Sequence, residues 1–164
     1  MAIRYSADEV LEMALQIERN GARFYEQAAE RAPDEHSRKL LLELAAMEKE
    51  HERTFASMRE DLSEQERKEM VFDPDGELPL YLRAWADRNV FSVSADVAAQ
   101  LRGARSMPEI LQAAIGAEKD SVVFYTGLKR LVPARFGAGR LDQIIEEEMG
   151  HMATLGDLLR CLSA

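Results

Sequence analysis

Glu48-Lys49-Glu50-His51 and Glu148-Met149-Gly150-His151 stand 100 residues apart, and the fold follows from what accompanies them at the same offset. Glu18 falls on Glu118, Ser6 on Ser106, Glu9 on Glu109, Phe24-Tyr25 on Phe124-Tyr125, and Pro33 on Pro133. From Ser6 to Thr54 only 12 of 49 positions are identical in the two halves, yet these include every residue of the Glu…Glu-x-x-His set. A repeat that diverges elsewhere and keeps metal-ligand residue types points to one site built by both halves.

Ser6-x-x-Glu9 and Ser106-x-x-Glu109 are capping boxes, each standing before an apolar run of helical period. In the first helix Val10, Leu11, Ala14, Leu15, Ala22 and Tyr25 recur at helical spacing to about residue 31. Pro33 breaks it, and Asp34 or Ser37 caps a second helix running through Leu40, Leu41, Leu44, Phe55 and Met58 to about Leu62. A third helix spans Met107 to Leu131, with Pro108 tolerated in its first turn. Val132-Pro133 and the Gly137/Gly139 pair turn the chain into a fourth, from Arg140 to Leu162. Residues 63–105 join the two pairs. Within them Asp73-Pro74-Asp75-Gly76 reads as a turn, Leu80–Arg88 and Ser94–Arg102 as short helices, and Trp85 and Phe91 as anchors covering the bundle. The expected fold is all-α: a ferritin-like four-helix bundle of two αα-hairpins (6–62 and 106–162) joined by a long, partly helical crossover, in one domain spanning 1–164.

Hairpin geometry decides whether the repeated residues meet. Glu18 and Glu48 each lie 15 residues from Pro33, and Glu118 and Glu148 each lie 15 from Pro133. Residues equidistant from the turn of an antiparallel pair sit level, here about 22 Å along the helix at 1.5 Å per residue. Glu18 shares a stripe with Leu11, Ala14, Leu15, Ala22 and Tyr25; Glu118 shares one with Leu111, Ala114, Ile115, Val122 and Tyr125. Glu48 lies among Leu41, Leu44, Ala45 and Phe55, and Glu148 among Leu141, Ile144, Ile145, Met152 and Leu155. The i, i+3 spacing sets His51 beside Glu48 and His151 beside Glu148. All six residues therefore point inward.

Four carboxylates in an apolar core are prohibitively expensive unless protonated, paired or metal-bound. No lysine or arginine shares those stripes. A single Glu-x-x-His on a helix is commonplace and carries little. Two copies, each with an upstream Glu and a turn proline midway, are different. A metal-free bundle of buried Glu–His pairs leaves two negative charges uncompensated even with both imidazoles protonated. Two divalent cations balance the four carboxylates and accept two imidazoles. One Glu from each of two helices and Glu-x-x-His from each of the other two is the di-iron carboxylate constellation. Oxygen and nitrogen ligands without sulfur suit two iron ions, and manganese or a mixed pair fits equally; affinity alone does not exclude zinc.

Tyr25 and Tyr125 follow Glu18 and Glu118 by two turns. They are core aromatics with satisfied hydroxyls, or donors to a ligand glutamate across the bundle. His36 reads as a surface residue and Cys161 as a packed thiol; Glu147, pointing about 100° away from Glu148, reads as solvated, as do Glu43, Glu52 and Glu146. The net charge of −9 argues against a nucleic-acid partner. One cysteine allows neither an internal disulfide nor a Cys-x-x-Cys site, and no apolar run approaches 18 residues, so no membrane span is expected. With no basic-then-apolar leader, the expected compartment is the cytoplasm.

At these residues the sequence resembles the rubrerythrin-like branch of the ferritin-like superfamily, over Ser6–Met58 and Ser106–Leu159. The resemblance rests on Glu18-Arg-Asn-Gly-Ala-Arg-Phe-Tyr25, Glu48-Lys-Glu-His51, Glu118-Lys-Asp-Ser-Val-Val-Phe-Tyr125 and Glu148-Met-Gly-His151. It implies a non-haem di-iron site with Glu18, His51, Glu118 and His151 as terminal ligands, Glu48 and Glu148 bridging, and reduction of hydrogen peroxide through a diferrous/diferric cycle. Rubrerythrins carry a further glutamate one turn after the third-helix ligand. Here that position is Ser121, and Gly21 is its partner at offset 100, so the set of six is closer to bacterioferritin ferroxidase centres. The rubredoxin domain of the family has no counterpart in this sequence, which implies a separate electron-donor protein.

The expected function is an oxidoreductase of the oxidative-stress type, reducing hydrogen peroxide or oxygen while oxidising Fe(II). The alternative is ferritin-like iron storage with ferroxidase activity, although there is no room after Leu162 for the fifth helix that cages use. A third reading is an interaction module with a structural metal site. A homodimer is expected, and the crossover length permits hairpins swapped between chains as well as hairpins paired within one.

Overall fold

Ser6 opens the first helix by a reciprocal bond. Its hydroxyl accepts from the Glu9 backbone at 3.3 Å, and Glu9 Oε2 accepts from the Ser6 backbone at 2.7 Å. Ser106 and Glu109 repeat this at 3.4 and 2.8 Å. Each box satisfies donors that a helix start would otherwise leave orphaned. In this computed structural model the described residues are 6–68, 101 and 106–163. The expected crossover turn at 73–76, the helix at 80–88, Trp85 and Phe91 lie outside them, as does the helix at 94–102 apart from Leu101.

Helix α1 spans Ala7–Ala29 and α2 spans Glu35–Glu60, capped by Asp34, whose side chain accepts from Ser37 N at 2.7 Å. A short α3 follows at Glu64–Lys68. Helix α4 spans Met107–Leu128, with Pro108 in the first turn where no backbone donor is needed. The second hairpin turns through a single helical turn, α5 (Ala134–Phe136), and a π-helical turn at Gly137–Leu141, before α6 at Asp142–Ser163. Gly139, at φ 93°, occupies the left-handed region that only glycine adopts freely. This irregular turn ends α4 at Leu128 and begins α6 at Asp142, a few residues inside the boundaries expected from periodicity.

Helix α1 packs along α2 and α4 along α6, and the hairpins meet through α1 against α4 and α2 against α6. The result is the ferritin-like arrangement of two hairpins in one helical bundle. Val10, Leu11, Ala14, Tyr25, Leu41, Phe55, Met58, Leu111, Ala114, Phe124, Tyr125, Leu141 and Leu155 are fully buried in one continuous core. Phe55 of the first hairpin packs on Tyr125 of the second, with ring centroids 5.0 Å apart. Ile115, Val122, Ile145 and Met152, expected on the inward stripes, are only half-buried because they sit at the stripe edges. Cys161 is exposed, not packed. It shares the solvent face of α6 with Asp157 and Arg160, turned away from buried Leu158.

Charged side chains hold the ends. Arg59 makes a two-pronged pair with Asp8, 2.9 Å on each arm, joining the start of α1 to the end of α2. Arg135 reaches Glu66 at 2.9 Å and the Asp61 carbonyl at 3.1 Å, tying the second turn to the end of the first hairpin. Such partly exposed pairs contribute at most about 1 kcal/mol each, so the apolar core carries the stability. Among the described residues no helix is long and apolar enough to cross a membrane.

Replacing Phe55 by alanine leaves a cavity under Tyr125 at the junction of the hairpins. Urea unfolding of the metal-free protein is expected to show a loss of about 3–5 kcal/mol.

Candidate metal centre

All four long helices deliver ligand-type side chains to one layer: Glu18 from α1, Glu48 and His51 from α2, Glu118 from α4, and Glu148 and His151 from α6. Each is at most 2% exposed. They form two overlapping groups. Single ligand atoms of Glu18, Glu48, His51 and Glu148 lie within 4.8 Å of one another, as do those of Glu48, Glu118, Glu148 and His151. Glu48 and Glu148 belong to both groups, whereas the other four belong to one each.

The histidines present Nδ1 to the centre. His51 Nδ1 stands 3.4 Å from Glu18, 3.8 Å from Glu48 and 3.3 Å from Glu148. His151 Nδ1 stands 3.2 Å from Glu48, 3.4 Å from Glu118 and 2.9 Å from Glu148. The two rings lie nearly parallel, with centroids 5.6 Å apart. Close as these approaches are, neither Nδ1 is aligned for a hydrogen bond. One oxygen each of Glu18, Glu48, Glu118 and Glu148 also has no hydrogen-bond partner among the described residues. Buried polar atoms are almost always paired. A shell of orphaned oxygens and imidazole nitrogens around a common point fits divalent cations, with oxygen and nitrogen donors of the type that iron and manganese accept. The residues present therefore fit a pair of ions.

The tyrosines bind the halves together. The Tyr25 hydroxyl donates to Glu118 and the Tyr125 hydroxyl to Glu18, each reaching from one hairpin to the other. Each bond uses the first oxygen of its glutamate and leaves the second for the centre. A carboxylate anchored at one oxygen presents the other in a fixed direction.

Electrostatics reinforce this reading. Burial, and then the neighbouring Glu48, push Glu18 well above the usual carboxylate range; burial and Glu148 do the same to Glu118. Burial opposes charge on the histidines, but the carboxylates outweigh it. Glu118, Glu148 and Glu48 push His151 up to about 12, and Glu148, Glu18 and Glu48 raise His51 further. Glu48, despite its burial, is held low by its contacts with Glu18 and both histidines. Without metal, protons on His51, His151, Glu18 and Glu118 balance the four carboxylates. Two divalent cations can take the place of those protons.

Glu147 departs from expectation. Instead of being solvated, it is half-buried, and its Oε2 lies 2.8 Å from His51 Nε2. Its Oε1 accepts from Gln143 Nε2 at 2.9 Å. The repeat hides this residue, because its counterpart at offset 100 is Met47. The signal was its place directly before Glu148, on the flank of α6 that faces α2. Glu52, also expected in solvent, pairs with Arg19 at 2.6 Å. Glu43, Glu146 and His36 are exposed.

The rubrerythrin family matches residues 9–84, which hold the first hairpin with Glu18, Glu48 and His51. A crystal structure of a provisionally assigned ferritin-like diiron-carboxylate protein from Thermotoga maritima is 26% identical, covers 96% of each chain, and superposes with a TM-score of 0.74. Comparison with curated proteins gives no match. The first half of the chain is thus similar to the rubrerythrin family, and the whole chain has the ferritin-like fold.

The raised groups set a pH dependence. Their protons bind more tightly in the metal-free fold than in the unfolded chain. That stability is full below the ordinary glutamate value of 4.5 and is lost as pH rises, for His151 over the interval from 6.5 to about 12. Metal uptake runs the other way, because it must expel the protons. The metal-induced rise in Tm is expected to be larger at pH 8.5 than at pH 6. Calorimetry in buffers of different ionisation enthalpy should show net release of protons on metal uptake. A pH-independent uptake would contradict the charge assignment.

Proposed function

We propose that the chain is a non-haem di-iron oxidoreductase that reduces hydrogen peroxide or oxygen with oxidation of Fe(II). The observation that supports this most is the pair of overlapping ligand groups, which share two carboxylates and aim unpartnered atoms at common points. Glu48 and Glu148 would hold both ions; Glu18 with His51 and Glu118 with His151 would complete one position each. Manganese or a mixed pair suits the same donors. Bound there, two redox-active ions supply the electrons that the oxidant accepts.

The chain's own residues supply geometry, charge balance and dryness. Tyr25 and Tyr125 keep Glu118 and Glu18 oriented. Phe55, Leu41, Leu111 and Leu155, all fully buried, keep bulk water from the core. A separate electron-donor protein would return the centre to its reduced state. We place this activity in the cytoplasm, in a homodimer of single-domain chains. In the single chain the hairpins close on each other through Tyr25–Glu118 and Tyr125–Glu18, and a dimer with swapped hairpins could make the same bonds.

Ferroxidase chemistry coupled to iron storage is the second reading. It is favoured by buried Ser121, which leaves the carboxylate count at four where rubrerythrins have one more. Sedimentation velocity separates the two: a dimer supports the oxidoreductase, and a large hollow particle supports storage.

Stopped-flow mixing of anaerobically Fe(II)-loaded protein with hydrogen peroxide, or with oxygen, is expected to show oxidation of two irons per chain. Two bound irons that react with neither oxidant would refute the enzyme reading. The double variant Glu18→Ala/Glu118→Ala is expected to lose this reaction and its metal pair while staying helical by circular dichroism, because the apolar core that carries the fold is unchanged.

A further inference from the structure

The two halves of the centre match in their six inward residues but not behind the histidines. His51 Nε2 lies against Glu147, whose other oxygen is held by Gln143. His151 Nε2 is buried and has no hydrogen-bond partner among the described residues. Offset by 100 residues, Glu147 corresponds to Met47 and Gln143 to Glu43, and both counterparts are exposed. The repeat has therefore kept its ligands and changed the support of one histidine only. Glu147 also lines a surface groove of about 310 Å³ with Thr54, Arg53, Arg140 and Gln143, so on the His51 side a polar residue connects surface to site.

A carboxylate that accepts the outer N–H of a ligating imidazole fixes the tautomer that leaves Nδ1 free for metal. It also strengthens that nitrogen as a donor, and losing such a partner typically weakens metal affinity about 10–100-fold. We infer that Glu147 is a positioning residue that makes the two metal positions unequal: the position served by Glu18 and His51 binds its ion more tightly and fills first. The inference rests on the reading that the six residues hold two metals. It adds an order of loading and assigns the cause to one residue outside the ligand set.

The test is anaerobic titration of metal-free protein with Co(II), followed by visible absorption and by proton NMR of the hyperfine-shifted imidazole N–H signals. Wild type is expected to take up two equivalents in resolved steps, with affinities at least about tenfold apart. The first step should bring up one slowly exchanging N–H resonance, that of His51. Glu147→Met gives both halves the same residue at this position of the repeat; it should weaken the first step alone and remove that resonance. Met47→Glu should strengthen the second step, and the exchange of both residues should restore two steps with His151 as the protected ring. Equal steps in wild type, or an equal weakening of both steps in Glu147→Met, would overturn the inference and leave the two-metal reading intact. Uptake of fewer than two equivalents by wild type would instead remove that reading itself. Circular dichroism checks that each variant is folded, as expected for substitutions at partly exposed sites.

Discussion

Four carboxylates in an apolar bundle have to be neutralised where they stand, and the rest of the molecule is arranged around that constraint. Each ion taken out of water costs several kcal/mol unless it gains partners. Here the available partners are two imidazoles, two phenolic hydroxyls and whatever cations the centre holds. Protons on the histidines and on Glu18 and Glu118 balance the cluster without metal, and two divalent ions balance it with metal. Either way the site is near neutral, which lets one hydrophobic core surround both forms.

The hairpin is the device that meets the constraint. Antiparallel helices capped at Ser6, Asp34 and Ser106 bring residues far apart in sequence to one height. Cross-bundle bonds from Tyr25 and Tyr125 then couple each hairpin's glutamate to the other hairpin. Because each tyrosine uses only one carboxylate oxygen, the bundle is locked without consuming the atoms that face the centre. Packing and ligand geometry are thus set by the same contacts, and Phe55 against Tyr125 shows the overlap directly.

Much of this was legible in the sequence, because strict helical period and a 100-residue repeat are global signals. The residues Glu18, Glu48, His51, Glu118, Glu148 and His151 could be assembled from turn prolines and helical rise alone. Tyr25 and Tyr125 could be narrowed to two roles, and only side-chain placement shows which glutamate each one meets. Glu147 was misread because its role depends on the flank that α6 turns toward α2, and on a difference between the halves. A comparison seeking identity passes over such a difference. Cys161 was misread for a related reason: an apolar stretch near a helix end does not say which residue lies on the solvent side. The ends of α4 and α6 moved because the Gly137–Leu141 turn is π-helical, a geometry with no clear local signature.

Anomalous diffraction at the iron edge, from crystals grown from protein loaded anaerobically with Fe(II), addresses the central claim most directly. The account predicts two peaks in each chain, both between Glu48 and Glu148, one beside Glu18 and His51 and the other beside Glu118 and His151. A single peak, or iron confined to surface carboxylates with the six buried residues bare, would contradict it.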